Sequence, residues 1–132
     1  MPLLEEVGTY LQTSAIGTLG TDIFLSTLPD QPDVAVVVYT YPGEAPASTL
    51  GGETLPAYDL PRIQVVTRAT TYSAAATKAD TIWRLLTKVT DRTLSGVRYL
   101  RIEAINGPAP LRRDDQDREL IFANYQVWRE IT

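Results

Sequence analysis

At 132 residues, 44% of them apolar and 21% charged, the chain has the size and make-up of one globular domain that buries roughly two-thirds of its unfolded surface. It has no cysteine and no histidine, which removes disulfides, thiol nucleophiles, the usual zinc and copper ligands and the commonest general base near neutral pH. The net charge of −4 conceals a segregation: residues 1–61 hold eight acids and no base, while residues 62–132 hold all 12 bases and eight acids. Such a chain either neutralises itself within one fold or meets copies of itself head to tail, acidic surface against basic.

Leu3, Leu4, Val7, Tyr10 and Leu11 recur at spacings of three and four, predicting a helix over 3–13 with Glu5 and Glu6 at its positive end. The same stretch lacks a basic segment and does not read as a signal peptide, so cytoplasmic synthesis is expected. No apolar run approaches the ~20 residues that cross a bilayer. Residues 22–28 can form a strand, and Pro29 to Asp33 a turn. Val34 to Tyr41 is β-branched and aromatic throughout, as in a central strand covered on both sides. Residues 43–60 read as a long linker, a contact loop or an inert insertion.

A strand over 62–68 then leads into an alanine-rich helix over 73–89. There Ala75, Ala79, Ile82, Leu86 and Val89 form the apolar stripe, and Trp83 reads as core or helix–sheet seam. Two strands close the chain, 97–105 and 118–131, joined by a projecting loop over 106–117. The second alternates Ile121, Ala123, Tyr125 and Val127 against Phe122, Asn124, Gln126 and Trp128. The expected fold is therefore a single α+β domain over 1–132. Its order is α-β-β-β-α-β-β, with one mainly antiparallel sheet and two helices on one face. The other face would carry Tyr99, Phe122 and Trp128, and exposed aromatics there favour an interface.

Motifs for chemistry are weak. The acids Asp114, Asp115, Asp117 and Glu119 lack the glycine of a calcium loop and are interrupted by Arg118, so a salt-bridged surface loop is expected. The glycines fit neither a phosphate loop nor a dinucleotide fingerprint, and no histidine activates a serine. Neither a metal nor a cofactor is expected, and the chain is not expected to be an enzyme. Arg98, Arg101, Arg112 and Arg113 form at most a small basic patch, too few to bind nucleic acid tightly against an acidic total.

Two stretches, PRIQVVTRATTYSAAATKADTIWRLL from Pro61 and RELIFANYQVWRE from Arg118, resemble the phage tail-terminator (tail-completion, minor capsid, head–tail joining) family, as do the element order and chain length. The resemblance implies a structural virion protein of the tail or neck, forming a homo-hexameric ring that caps the head-proximal end of a tail tube. That ring would end tube polymerisation and offer the head-attachment surface. Its partners would be the tail-tube protein and a head-completion or connector protein, with duplex DNA passing through the lumen without tight binding, and no membrane. Candidate contact residues are Glu44, Glu53, Asp59, Arg98, Arg101, Arg112, Arg113 and Trp128. On this reading acids before Pro61 line the channel and arginines after it face neighbouring subunits. The rival reading is a small-ligand-binding or regulatory α+β domain that dimerises through its sheet, which requires a convergent polar pocket.

Overall fold

The computed structural model describes residues 2–47 and 58–130, with backbone alone for 44–47. The elements run α1 (Leu3–Thr13), β1 (Ile23–Leu25), β2 (Ala35–Ala47), β3 (Tyr58–Ala69), α2 (Tyr72–Thr87), β4 (Thr90–Leu94), β5 (Val97–Arg113) and β6 (Glu119–Glu130). They build one six-stranded sheet in the order β1-β2-β3-β6-β5-β4. This α+β sheet is mixed, which corrects the mainly antiparallel sheet expected from sequence. The chain after Leu25 returns to the end where β1 began, so Ile23 pairs with Val36 and β1 runs parallel to β2. The pairings β2–β3, β3–β6, β5–β6 and β4–β5 are antiparallel.

A further correction is β4, absent from the expected order. Its sequence, TDRTL, buries only Leu94, so it carries no apolar alternation to announce it. It reaches β5 through Ser95 and Gly96, both at positive φ, the backbone of a two-residue hairpin turn.

Register defines the two faces. Val36, Val38, Ile63, Val65, Ala123, Tyr125, Val127 and Ile102 point to one side and pack with Val7, Tyr10 and Leu11 of α1 and Ile82 and Leu86 of α2. Both helices therefore cover the same face. Near the start of α2, Ala75 and Ala79 lie on Ala69 and Ile121, small side chains that let helix and sheet approach closely. Thr71 caps that helix by accepting from the Ala74 N–H (3.2 Å), and the Tyr10 hydroxyl ties α1 to α2 by donating to the Leu85 carbonyl (2.8 Å). Trp83 packs against this core from α2.

The expected loops are shorter than their sequences imply. Residues 43–47 extend β2, residues 58–60 begin β3, and β5 runs on to Arg113, so only a turn over 114–118 separates β5 from β6. Part of the 43–60 segment lies outside the described residues. β5 hides its length through register shifts after Tyr99, Ala104, Asn106 and Pro110, each inserting one residue against β6. The first shift moves Tyr99 to the helix side, where it is fully buried; strict alternation had placed it on the open face with Arg101.

Candidate functional site

The face away from the helices is uncovered except where Phe24 of β1 and Leu28 cross its lower corner. Strand register orders it in rows across β2, β3, β6 and β5. Trp128 and Arg101 form the top row. Below come Tyr41, Arg62, Gln126 and Glu103, then Tyr39, Gln64, Asn124 and Asn106. The next row, Val37, Val66 and Phe122 with Ala109, is apolar, and Leu120 flanked by Arg68 and Arg112 closes the bottom. Polar residues thus occupy the upper half and apolar ones the lower.

The polar rows are bonded to themselves. Gln64 Nε2 donates to Asn124 Oδ1 (3.1 Å), and Asn124 Nδ2 donates to Asn106 Oδ1 (2.9 Å). Arg62 Nε donates to Gln126 Oε1 (2.9 Å), whose amide in turn donates to the carbonyls of Leu60 (2.9 Å) and Pro61 (3.0 Å). At the top, the Arg101 guanidinium stacks 4.8 Å from the Trp128 ring, and both side chains bond Glu103 Oε1, at 3.0 and 3.1 Å. These bonds fix the rotamers, so the face is a preformed surface.

Two adjoining hollows run along it. One, of about 330 Å³, is lined by Tyr39, Tyr41, Gln64 and Asn124. The other, of about 460 Å³, shares Tyr39 and Gln64 and continues over Val66 and Leu120 between Leu28, Leu111 and Arg112 to Arg68 and Asp114. A separate cleft of about 190 Å³ lies between α1 and β4, where Arg92 sits 5.0 Å from the Tyr10 ring.

Charge is spent inside the molecule more than sequence alone indicates. Glu6, fully buried on α1, accepts from Arg129 Nε (2.8 Å) and Nη2 (3.0 Å) and from the Tyr99 hydroxyl (2.6 Å). The hydrogen bond from Glu6 raises the Arg129 pKa, and burial followed by the Glu6 contact raises that of Tyr99. Arg118 binds Asp114 (2.8 Å), Asp30 (3.0 Å) and Asp33 (3.1 Å), and donates to the Asp30 carbonyl. Arg68 adds bonds to the carbonyls of Pro32 and Asp33, clasping the loop between β1 and β2 to the sheet. Burial alone would depress the Arg118 pKa; its aspartate partners outweigh that and raise it. Glu6, Asp30 and Asp33 are therefore bonded within the subunit and are not channel-lining charges.

The proposed contact residues scatter. Arg101 and Trp128 meet at the top of the open face and Arg112 stands at its bottom. Arg98 bonds Asp91 (2.7 Å) with Glu130 at 3.8 Å, and Arg113 bonds Glu119 (2.7 Å) and Asp117 (3.0 Å). Asp59 is half-buried opposite Arg129. Glu53 and the Glu44 side chain lie outside the described residues. The ladder Gln64, Asn124 and Asn106 was missed, although the alternation of β6 already put Asn124 and Gln126 beside Phe122 and Trp128. Among the described residues no group of three or more Asp or Glu is placed to hold a metal ion, and no helix is long and apolar enough to cross a membrane.

No curated protein matches the chain in sequence. In structure it is similar to a chain from the virion of a native gene transfer agent particle, with 18% identity and a TM-score of 0.67 over 98% of this chain and 95% of that one. The family model described as bacteriophage tail terminator protein matches residues 10–131.

Proposed function

Since the chain belongs to the bacteriophage tail terminator family, whose members are structural proteins of the virion tail, we propose that identical copies close into a ring on the head-proximal end of a tail tube. The ring ends tube polymerisation, presents the surface to which the filled head attaches, and leaves a hole through which duplex DNA passes without tight binding. Its stoichiometry is hexameric, its neighbours are the tube protein and a head-completion or connector protein, and its role is structural and not catalytic. The observation that carries this reading is the extent of the family match, which takes in every strand and α2. The face geometry supports it. A rigid sheet surface whose amides are bonded to one another suits protein contact, whereas a ligand-binding dimer would hold polar groups converging on a small molecule.

Particles assembled without this chain test the reading. Overlong or unjoined tails beside DNA-filled heads are expected, and normal virions would overturn it. Native mass spectrometry of the purified chain with and without tube protein reads the ring itself, six copies being the expected mass.

A further inference from the structure

The lower half of the open face joins an apolar trough to a cation. Val66 and Leu120 form the floor, with Leu28 and the 45%-exposed Leu111 as walls. Leu111 faces outward because a register shift between Pro110 and Arg112 adds one residue to β5 there. Beside it, Arg112 is exposed and makes no salt bridge among the described residues, unlike Arg98, Arg101, Arg113 and Arg118. By register the face presents Arg62, Arg101 and Arg112 against the single carboxylate Glu103.

We infer that this trough is a docking site for an extended acidic segment of another virion protein, inserting one apolar side chain between Leu28 and Leu111 and setting a carboxylate on Arg112. This deepens the cap reading by naming the partner chemistry at one face, and it rests on that reading. Charge complementarity selects an acidic occupant. A second copy of this chain is a poor source of that acid, because most of its described carboxylates are held by its own arginines: Glu6 by Arg129, Asp30, Asp33 and Asp114 by Arg118, Asp80 by Arg84, Asp91 by Arg98, and Asp117 and Glu119 by Arg113. Nucleic acid fits less well, since phosphate binding scales with the cations placed on it and the trough floor is aliphatic.

The test places a photoreactive benzophenone side chain at Leu111, and in a control at Lys78 on α2, in particles during assembly, and sequences the crosslinked peptides. Expected from position 111 is a peptide of a different virion protein with an apolar residue beside Asp or Glu. Arg112→Glu in the same background should lower that yield roughly tenfold, and Arg112→Lys should restore most of it. Crosslinks to a second copy, to DNA, or to a peptide without acid would overturn the assignment, as would a yield that Arg112→Glu leaves unchanged. Native mass spectrometry of the Arg112→Glu chain separates the two readings: a ring that still forms while the crosslink fails refutes the docking site alone.

Discussion

Replacing Glu6 by alanine removes the single carboxylate that answers two buried donors. Its oxygens take Arg129 Nε and Nη2 at 2.8 and 3.0 Å and the Tyr99 hydroxyl at 2.6 Å, and Glu6 itself has no solvent exposure. Removing one partner of such a pair leaves a charge uncompensated, typically at about 3–5 kcal/mol. The Arg129 side chain keeps 17% of its surface in solvent, so part of its hydration can be recovered and about 3 kcal/mol is expected. For a domain of this length that corresponds to a melting temperature roughly 10–15 °C lower. The double variant Glu6→Leu, Arg129→Met exchanges the pair for apolar groups and should lose less than Glu6→Ala alone, because no charge is stranded. Urea unfolding followed by Trp83 and Trp128 fluorescence measures all three chains, with Tyr99→Phe added to isolate its bond at about 1.5–3 kcal/mol. A Glu6→Ala loss below about 1 kcal/mol, or a double variant that sums the two single losses, would show that the triad is not a coupled buried unit.

The clasp at the other end should respond to Arg118→Met by local opening, seen as faster amide exchange across 29–36 with little change in β3. Equal slowing or quickening across the whole sheet would contradict it. Its pH response follows from two aspartates. Hydrogen bonds from Gln116 and Arg118 hold Asp30 below its ordinary 3.8, and for Asp114 the upward push of burial is outweighed by bonds from Arg118 and Gln116. A depressed folded pKa adds stability that is present above 3.8 and is lost as pH falls through the folded value, so the clasp should hold at pH 4.5 and open only below 3.8; carboxyl-carbon NMR titration reads this, and midpoints above 3.8 would refute it. Gly43→Ala should destabilise the β2–β3 hairpin by about 1–3 kcal/mol, since a Cβ there would strike the Leu60 carbonyl oxygen and lie 3.0 Å from the Pro61 carbonyl carbon, backbone atoms that cannot rotate away; unchanged thermal melting would count against the close strand approach. Thr71→Ala should cost about 1 kcal/mol through the lost cap of α2, measured by the same melts.

Periodicity carried the sequence reading wherever one face of an element is apolar. α1 has the bounds its leucine and valine spacing predicts, and the alternation of β6 assigned Ile121, Ala123, Tyr125 and Val127 to the core face. It failed where register slips. β5 offsets its alternation several times within one strand, so Tyr99 changes face and residues 106–113, with Gly107, Pro108 and Pro110, resemble a loop in composition while remaining paired to β6. β4 is polar on nearly every residue and had no pattern to read. The direction of β1 is set by how Ser26 to Val34 crosses the sheet end, which no local pattern encodes. The open face was half legible: its aromatics were visible, but the bonds joining Gln64, Asn124 and Asn106 come from three strands distant in sequence. The charge segregation was real in sequence, yet three of the early acids end in bonds to Arg118 and Arg129.

The uncovered strand edges limit how such a subunit can meet others. β1 pairs with β2 only at Val36 to Val38, and β4 pairs with β5 only between Val97 and Arg101, so the later part of each long strand has no outer neighbour. Those same parts contain Pro42 and Pro46 on β2 and Pro108 and Pro110 on β5, residues with no N–H to donate, and β5 is bulged throughout the stretch. The covered parts contain no proline. A sequence that places its prolines and bulges only where an edge is bare is guarding against backbone pairing with a further strand. Copies or partners added to this sheet must then be held by side chains, and the preformed polar and aliphatic rows of the open face supply them. Continuous strand-to-strand hydrogen bonding across a subunit boundary, detected by slow amide exchange at 103–113 that appears only on assembly, would contradict that conclusion.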